Sequence, residues 1–246
     1  MRALVLAVVA TVVPTAAFAE GPSFDCRTAR TPREIAVCAD ASLAKADRDL
    51  TATYVALRRR LPAKVAESLT ADQREFIADL DDGFGVEMWG RGGVPDEAER
   101  IRADVRTAVR GHHDSIGRLR AEIEARSRSF AGLVTDRPGF AGTWAMHGTT
   151  LTITADGGGW RLVYEHPSYG WPKYECHFTA LARSTGPDLA VDGVDDTDIG
   201  ERRGARLTLR REGAVLIVAE ALQEEGGRSA CVRAGPVDGT FFAVGR

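Results

Sequence analysis

Two periods of apolar spacing divide this chain. Up to Leu133 the apolar residues recur three and four apart, and from Phe140 they alternate with polar ones. The first spacing marks helices with one buried face, and the second marks half-buried strands. Thr31-Pro32-Arg33-Glu34 has the make-up of a capping box, in which the Thr31 hydroxyl accepts from an early helix N–H while Glu34 reaches back. A helix is predicted to start there. Its apolar stripe continues through Leu43, Asp47, Leu50, Tyr54, Leu57 and Leu61 until Pro62 stops it. Asp47 falls inside that stripe, and a carboxylate so placed is expected to bond a backbone N–H or an arginine.

A second helix is predicted over Ala63 to Asp82, with Leu69, Gln73, Phe76, Ile77 and Leu80 facing the first. Gly83-Phe84-Gly85 should end it, before an irregular glycine-rich stretch carrying Trp89. A third helix opens at Pro95, with Asp96, Glu97 and Glu99 in its first turn, and closes among Arg118, Arg120 and Arg126. Its stripe is Ile101, Val105, Ala108, His112, Ile116, Leu119 and Ile123, which makes His112 a hydrogen-bonded core histidine. His113 points about 100° away, so the two do not form a metal pair. Three such helices can form an antiparallel bundle.

In the second half, Leu151–Thr154, Trp160–Glu165, Tyr174–Phe178, Arg206–Arg210, Val215–Ala219 and Thr240–Val244 read as strands separated by glycine-rich turns. Their number and spacing predict an antiparallel β-barrel or sandwich. The fold class is therefore α+β in two domains, a helical bundle over 20–133 and an all-β domain over 134–246, joined around Gly132 to Pro138.

The first nineteen residues change the compartment. A positive start at Arg2, an apolar run from Ala3 to Val13 and the small-residue site Ala17-Phe18-Ala19 read as a secretory signal peptide over residues 1–19. That apolar run is too short to span a bilayer, which takes roughly 20 residues. The expected location is the periplasm or the exterior, with no membrane span left after cleavage. Cys26, Cys38, Cys176 and Cys231 are then an even set in an exported chain, and disulfides are expected. Of the three possible pairings, Cys26–Cys38 and Cys176–Cys231 keep each bridge within one composition zone. In the chain-entropy picture the first is worth about 3 kcal/mol and the second about 4 kcal/mol. No Cys-x2-Cys pair is present, so zinc is not expected. The formal charge is −3, and −4 once Arg2 leaves. That mild acidity excludes nucleic acid as a partner and leaves room for a cationic one.

Phe24-Asp25-Cys26, Ala29, Thr31, Glu34, Val37-Cys38, Leu43, Asp47, Leu50 and Tyr54, followed by Gln73-Arg74, resemble the N-terminal domain of the lysozyme-inhibitor LprI family. The resemblance covers about Ser23 to Asp82. It implies a small, cysteine-stapled helical domain in an exported protein, with a lysozyme as partner. Members often follow Gln-Arg with tryptophan, arginine and a further cysteine; this chain has Phe76, Leu80 and Gly83 there, so that extra cross-link is absent.

Candidate contacts lie in the β half. Tyr169 and Trp171 sit in Pro167-Ser168-Tyr169-Gly170-Trp171-Pro172, a hairpin tip whose aromatics either fold over a barrel end or meet a glycan or protein. Asp192, Asp195, Asp196, Asp198 and Glu201 form the densest acidic stretch. It reads as a solvated loop, as a loop that meets a basic enzyme, or as an irregular calcium site, its order being wrong for an EF-hand. No nucleophile elbow, phosphate loop, metalloprotease helix or dinucleotide fingerprint occurs, so neither an enzyme nor a cofactor is expected. The leading reading is a secreted lysozyme-inhibitor-type protein acting by cleft occlusion. The alternative is a non-inhibitory envelope module that binds a cell-wall glycan or another ligand, and a purely structural role is a third.

Overall fold

The capping box at Thr31 forms as its residues predict. Glu34 N–H donates to Thr31 Oγ1 at 3.2 Å, and Thr31 N–H donates to the Glu34 carboxylate at 3.1 Å. The computed structural model describes residues 21–92, 94–166, 175–196, 201–221, 230–231 and 237–245. The expected signal peptide lies outside them. Both expected disulfides form, with Cα–Cα separations of 5.7 Å for Cys26–Cys38 and 5.6 Å for Cys176–Cys231.

Among the described residues five α-helices replace the three anticipated, and each difference has a local cause. The helix started at Thr31 is short, α1 (Pro32–Ala39), because extended Asp40 ends it and caps α2 (Ala41–Arg58). Asp40 Oδ1 accepts from the N–H groups of Ser42 and Leu43 at 2.8 and 2.9 Å. On α2 Leu43, Asp47, Leu50 and Leu57 of the stripe are buried as expected and Tyr54 is partly buried, and Asp47 accepts from Ser23 N–H at 2.7 Å. Helix α3 (Ala63–Trp89) runs through Gly83 and Gly85 without ending there. Packing holds it: a Cβ at Gly85 would come within 2.8 Å of Val94 Cγ2, so glycine lets that segment approach the helix closely. The last helix divides into α4 (Ala98–Arg110) and α5 (Asp114–Gly132). His112, with φ of 51°, turns the chain between them and is exposed, so it is not the core histidine its spacing suggested. His113 instead caps α5 by accepting from Ser115 N–H.

The β half is a closed barrel of eight antiparallel strands in sequence order. They are β1 (Gly142–Met146), β2 (Thr149–Asp156), β3 (Gly159–His166), β4 (Cys176–Thr185), β5 (Asp188–Asp196), β6 (Glu201–Glu212), β7 (Val215–Ala221) and β8 (Gly239–Ala243). Pairing of Trp144 with Ala243 and Ala145 with Phe242 closes the cylinder, which decides for a barrel over a sandwich. Side chains fill the interior, and Trp144, Ile153, Leu162 and Phe241 are wholly shielded. Strands β1 and β5 are not among the six read from sequence; in β5 the reason is visible. Leu189, Val191 and Val194 face inward while Asp192 faces out, with a register shift between Asp192 and Val194. The acidic stretch is therefore strand, not loop, as far as Asp196. Asp192 there pairs with Arg183 at 2.6 Å and Arg206 at 3.3 Å.

The stretch where composition changes is tightly tied down. Leu133 bridges Val244, Val134 N–H donates to Ala243 O at 2.9 Å, and Gly245 N–H donates to Gly132 O at 2.7 Å. The Arg137 guanidinium lies over the Trp144 ring at 5.7 Å and donates to the carbonyls of Ala141 and Val244. Val215 and Phe242, on the outside of the barrel, belong to the helical core. Helix α3 follows the barrel wall, from Lys64, paired with Glu212 at one end, to Asp79, beside His147 at the other, about 22 Å along the helix axis.

Inward and outward barrel positions should differ sharply in unfolding by denaturant. Leu162→Ala, at a fully buried site, is expected to cost about 2–5 kcal/mol. Leu181→Ala, 64% exposed, should change stability by no more than about 0.5 kcal/mol.

Candidate functional site

The two ends of the barrel are built differently. At one end β2–β3, β4–β5 and β6–β7 are joined by two-residue turns carrying Gly157, Gly186 and Gly213 at positive φ. At the other end only β1–β2 is so short, turning through His147 and Gly148. The connections His166 to Glu175, Asp196 to Glu201 and Ala221 to Gly239 also begin and finish there. Against this second end lies one face of α3, and between them is a cleft of about 460 Å³.

Ser68, Asp72, Glu75 and Asp79 line the α3 side at intervals of three and four, as neighbours on one helix face must. The barrel side offers His147, Thr149, Tyr164, His166 and Asp238. Asp72 anchors the arrangement. It is 6% exposed and sits in the apolar stripe of α3, where spacing had favoured Gln73. Its Oδ2 accepts from Arg126 Nη2 of α5, and the His147 backbone N–H also faces its carboxylate. Burial nonetheless holds the Asp72 pKa above the ordinary carboxylate value, against the pull of Arg126. Arg126 in turn donates from Nε to Gln73 Oε1 at 3.1 Å and stacks over Phe130 at 4.3 Å and Phe76 at 5.2 Å.

His147 completes the join between the helices and the barrel. Its ring meets Phe76 edge-on, centroids 5.5 Å apart, and its Nε2 lies 3.4 Å from Asp79 Oδ2. Burial, with Arg126 and His166 adding repulsion, pushes its pKa down to about 4, so the ring is neutral at pH 7. Asp79 is raised, first by burial and then by the like charges of Glu75 and Asp82. Deeper in the cleft, Thr149 Oγ1 is 2.6 Å from His166 Nδ1 and also bonds the Tyr164 hydroxyl. Burial lifts Tyr164 to about 12, and its ring stacks on Phe178 at 4.7 Å. Asp238 accepts from Glu220 N–H, while Glu220 accepts from Ala230 and Val237 N–H at 2.6 and 2.8 Å. That arrangement fixes both margins of the β7–β8 connection beside the Cys176–Cys231 bridge.

Chemically, Glu75, Asp79 and Asp238 give the described part of the cleft a negative rim, and the Arg126 guanidinium beside it is matched by Asp72. A positively charged group is what such a rim favours. Among the described residues no cluster of three or more His, Cys, Asp or Glu side chains is arranged to hold a metal ion.

Tyr169, Trp171 and Asp198 lie outside the described residues. The first two belong to the β3–β4 connection and Asp198 to the β5–β6 connection, both of which depart from the cleft end. Asp195 is exposed and stands opposite Thr179 and Arg202; Asp196 stands opposite Phe178 and Glu201. Asp72, Asp79 and His147 were not singled out from sequence. His147-Gly148 between two alternating runs is a two-residue hairpin signal that could have been read, whereas its meeting with α3 spans about 70 residues and carries no local signature.

Removing one partner of the buried pair should be far worse than removing both. Asp72→Ala is expected to lose about 3–5 kcal/mol in denaturant unfolding, and Asp72→Leu combined with Arg126→Met should recover most of it.

No curated protein and no solved structure matches the chain. Among the described residues no helix is long and apolar enough to cross a membrane, and both bridges fit an oxidising, extracytoplasmic setting. Residues 26–107, from the Cys26 turn through most of α4, match the family described as lysozyme inhibitor LprI, an inhibitor family, and the match ends before α5 and the barrel.

Proposed function

We propose that this protein is an exported binding protein of the lysozyme-inhibitor type, located in the periplasm or secreted, which acts by occluding the lysozyme cleft. The observation that carries this reading is the match over residues 26–107, in a region stapled by Cys26–Cys38. The negative rim of the α3–barrel cleft supports it, because such a rim suits the cationic partner for which the acidity of the chain leaves room. Glu75, Asp79 and Asp238 are the residues we assign to first contact. Their charges attract the enzyme, and the body of the helical region and barrel end then keeps the glycan out of its cleft. Electrostatic attraction of this kind acts chiefly on the association rate and weakens with salt.

Lysis of cell-wall suspensions should fall at near-stoichiometric ratios of this protein to lysozyme, less so as salt is raised. Glu75→Gln with Asp79→Asn should slow association about tenfold with little change in dissociation. Full lysis in the presence of a large molar excess, across several lysozyme types, would overturn the function. Inhibition by the double variant equal to that of the wild type would overturn the contact site alone.

A further inference from the structure

The β1–β2 hairpin turns through two residues at positive φ, His147 at 32° and Gly148 at 73°. Turns of this kind take asparagine or glycine most readily, and a non-glycine residue there is strained. The turn alone therefore gives no reason for an imidazole at residue 147. The contacts of the ring do: it is buried between α3 and α5, edge-on to Phe76 and beside Asp79, and its backbone N–H faces the Asp72–Arg126 pair. A second cleft, of about 380 Å³, opens on the α5 side of the same tip, so His147 and Gly148 form the wall between two hollows. The opposite end of the seam is of another kind. There the chain itself, the Leu133–Val244 bridge and the packing of Val215 and Phe242 join the helices to the barrel.

We propose that the β1–β2 hairpin tip is an acid-released latch: a proton on His147 draws the tip out from between α3 and α5 and opens the cleft, while the Leu133–Val244 end holds as the hinge. Lysozyme need not be present for the latch to open, and its test uses the protein alone.

The groups around the ring set the pH window. Asp72, Glu75 and Asp79 face it from α3, Glu122, Arg126 and Arg128 from α5, Tyr164 and His166 from β3, and Asp238 from the segment before β8. His147 has a pKa of about 4 when buried against 6.5 in water, so the open form binds the proton more readily. Closure is therefore fully favoured above 6.5 and is lost as pH falls toward 4. His166, also lowered by burial, acts in the same direction. Asp72 and Asp79 are raised in the closed form, so they hold protons better there and oppose opening once the pH reaches their range. The latch accordingly acts above the carboxylate range. Between pH 7 and pH 5, His147 alone shifts the balance toward the open form about twentyfold.

Hydrogen exchange followed residue by residue by NMR, corrected for the intrinsic effect of pH on exchange, tests this in the full protein. Protection of the His147 amide should fall about twentyfold from pH 7 to pH 5. The amides of Val134, Val244 and Gly245, bonded to Ala243, Thr143 and Gly132 at the hinge, should keep theirs. His147→Asn suits the turn and does not titrate, and His147→Gln keeps more of the bulk; in both, the fall in protection of the residue 147 amide between the two pH values should shrink to the part contributed by His166. The latch is overturned if wild-type protection does not change, if the hinge amides lose protection in parallel, or if either neutral variant responds to pH as the wild type does.

Discussion

A carboxylate and a guanidinium taken out of water together govern how the two halves of this protein meet. Asp72 and Arg126 are both about 6% exposed, on different helices, and neither charge is tolerable there without the other. Their pairing fixes α3 relative to α5. It also places Phe76 under the guanidinium and leaves a gap of the right width for one hairpin tip. An apolar pair would hold two helices together equally well, but it would offer the His147 backbone nothing to face. A buried ion pair is weak support for stability in itself; here its consequence is register, the setting of one barrel turn against one helix face.

Two kinds of join thus act along one seam. At the Leu133–Val244 end the contacts are backbone hydrogen bonds and apolar packing, which change little with pH. At the His147 end they include ionisable side chains, and burial displaces Asp72, Asp79, His147 and His166 from their ordinary proton affinities. The negative rim lies at this second end, beside the barrel connections in which Tyr169, Trp171 and Asp198 occur. The chain therefore places its ionisable contacts, its longer connections and the carboxylates of the cleft rim together, and leaves the far end of the barrel to tight glycine turns. Surface segments held on a rigid scaffold in this way are where binding commonly resides.

Local signals were legible and distant meetings were not. The capping box at Thr31, the buried stripe of α2 and most of the strands follow from neighbouring residues and stand where spacing placed them, while the disulfide partners follow from the composition zone that each pair shares. Asp40 and His112 show the limit of periodicity. A stripe of apolar residues can continue in register across a break, so α1–α2 and α4–α5 each read as one helix until the residue that turns the chain is seen. At β5 the acids dominated the reading, and the alternation of Leu189, Val191 and Val194 was masked by a register shift. The cleft itself lay beyond reach, because Asp72 and His147 meet only after the barrel has closed and docked on α3. What could be read was the hairpin at His147-Gly148, and a carboxylate one place from the expected stripe.

Closure of the cylinder by β1 and β8 also restricts how any other molecule can attach. An open sheet offers a row of unsatisfied amides and carbonyls onto which a foreign strand can add. In this barrel those groups are spent on the Trp144–Ala243 and Ala145–Phe242 pairing. A partner must therefore be recognised through side chains at the barrel rim and on the helices, by shape and charge, and not by lengthening the sheet.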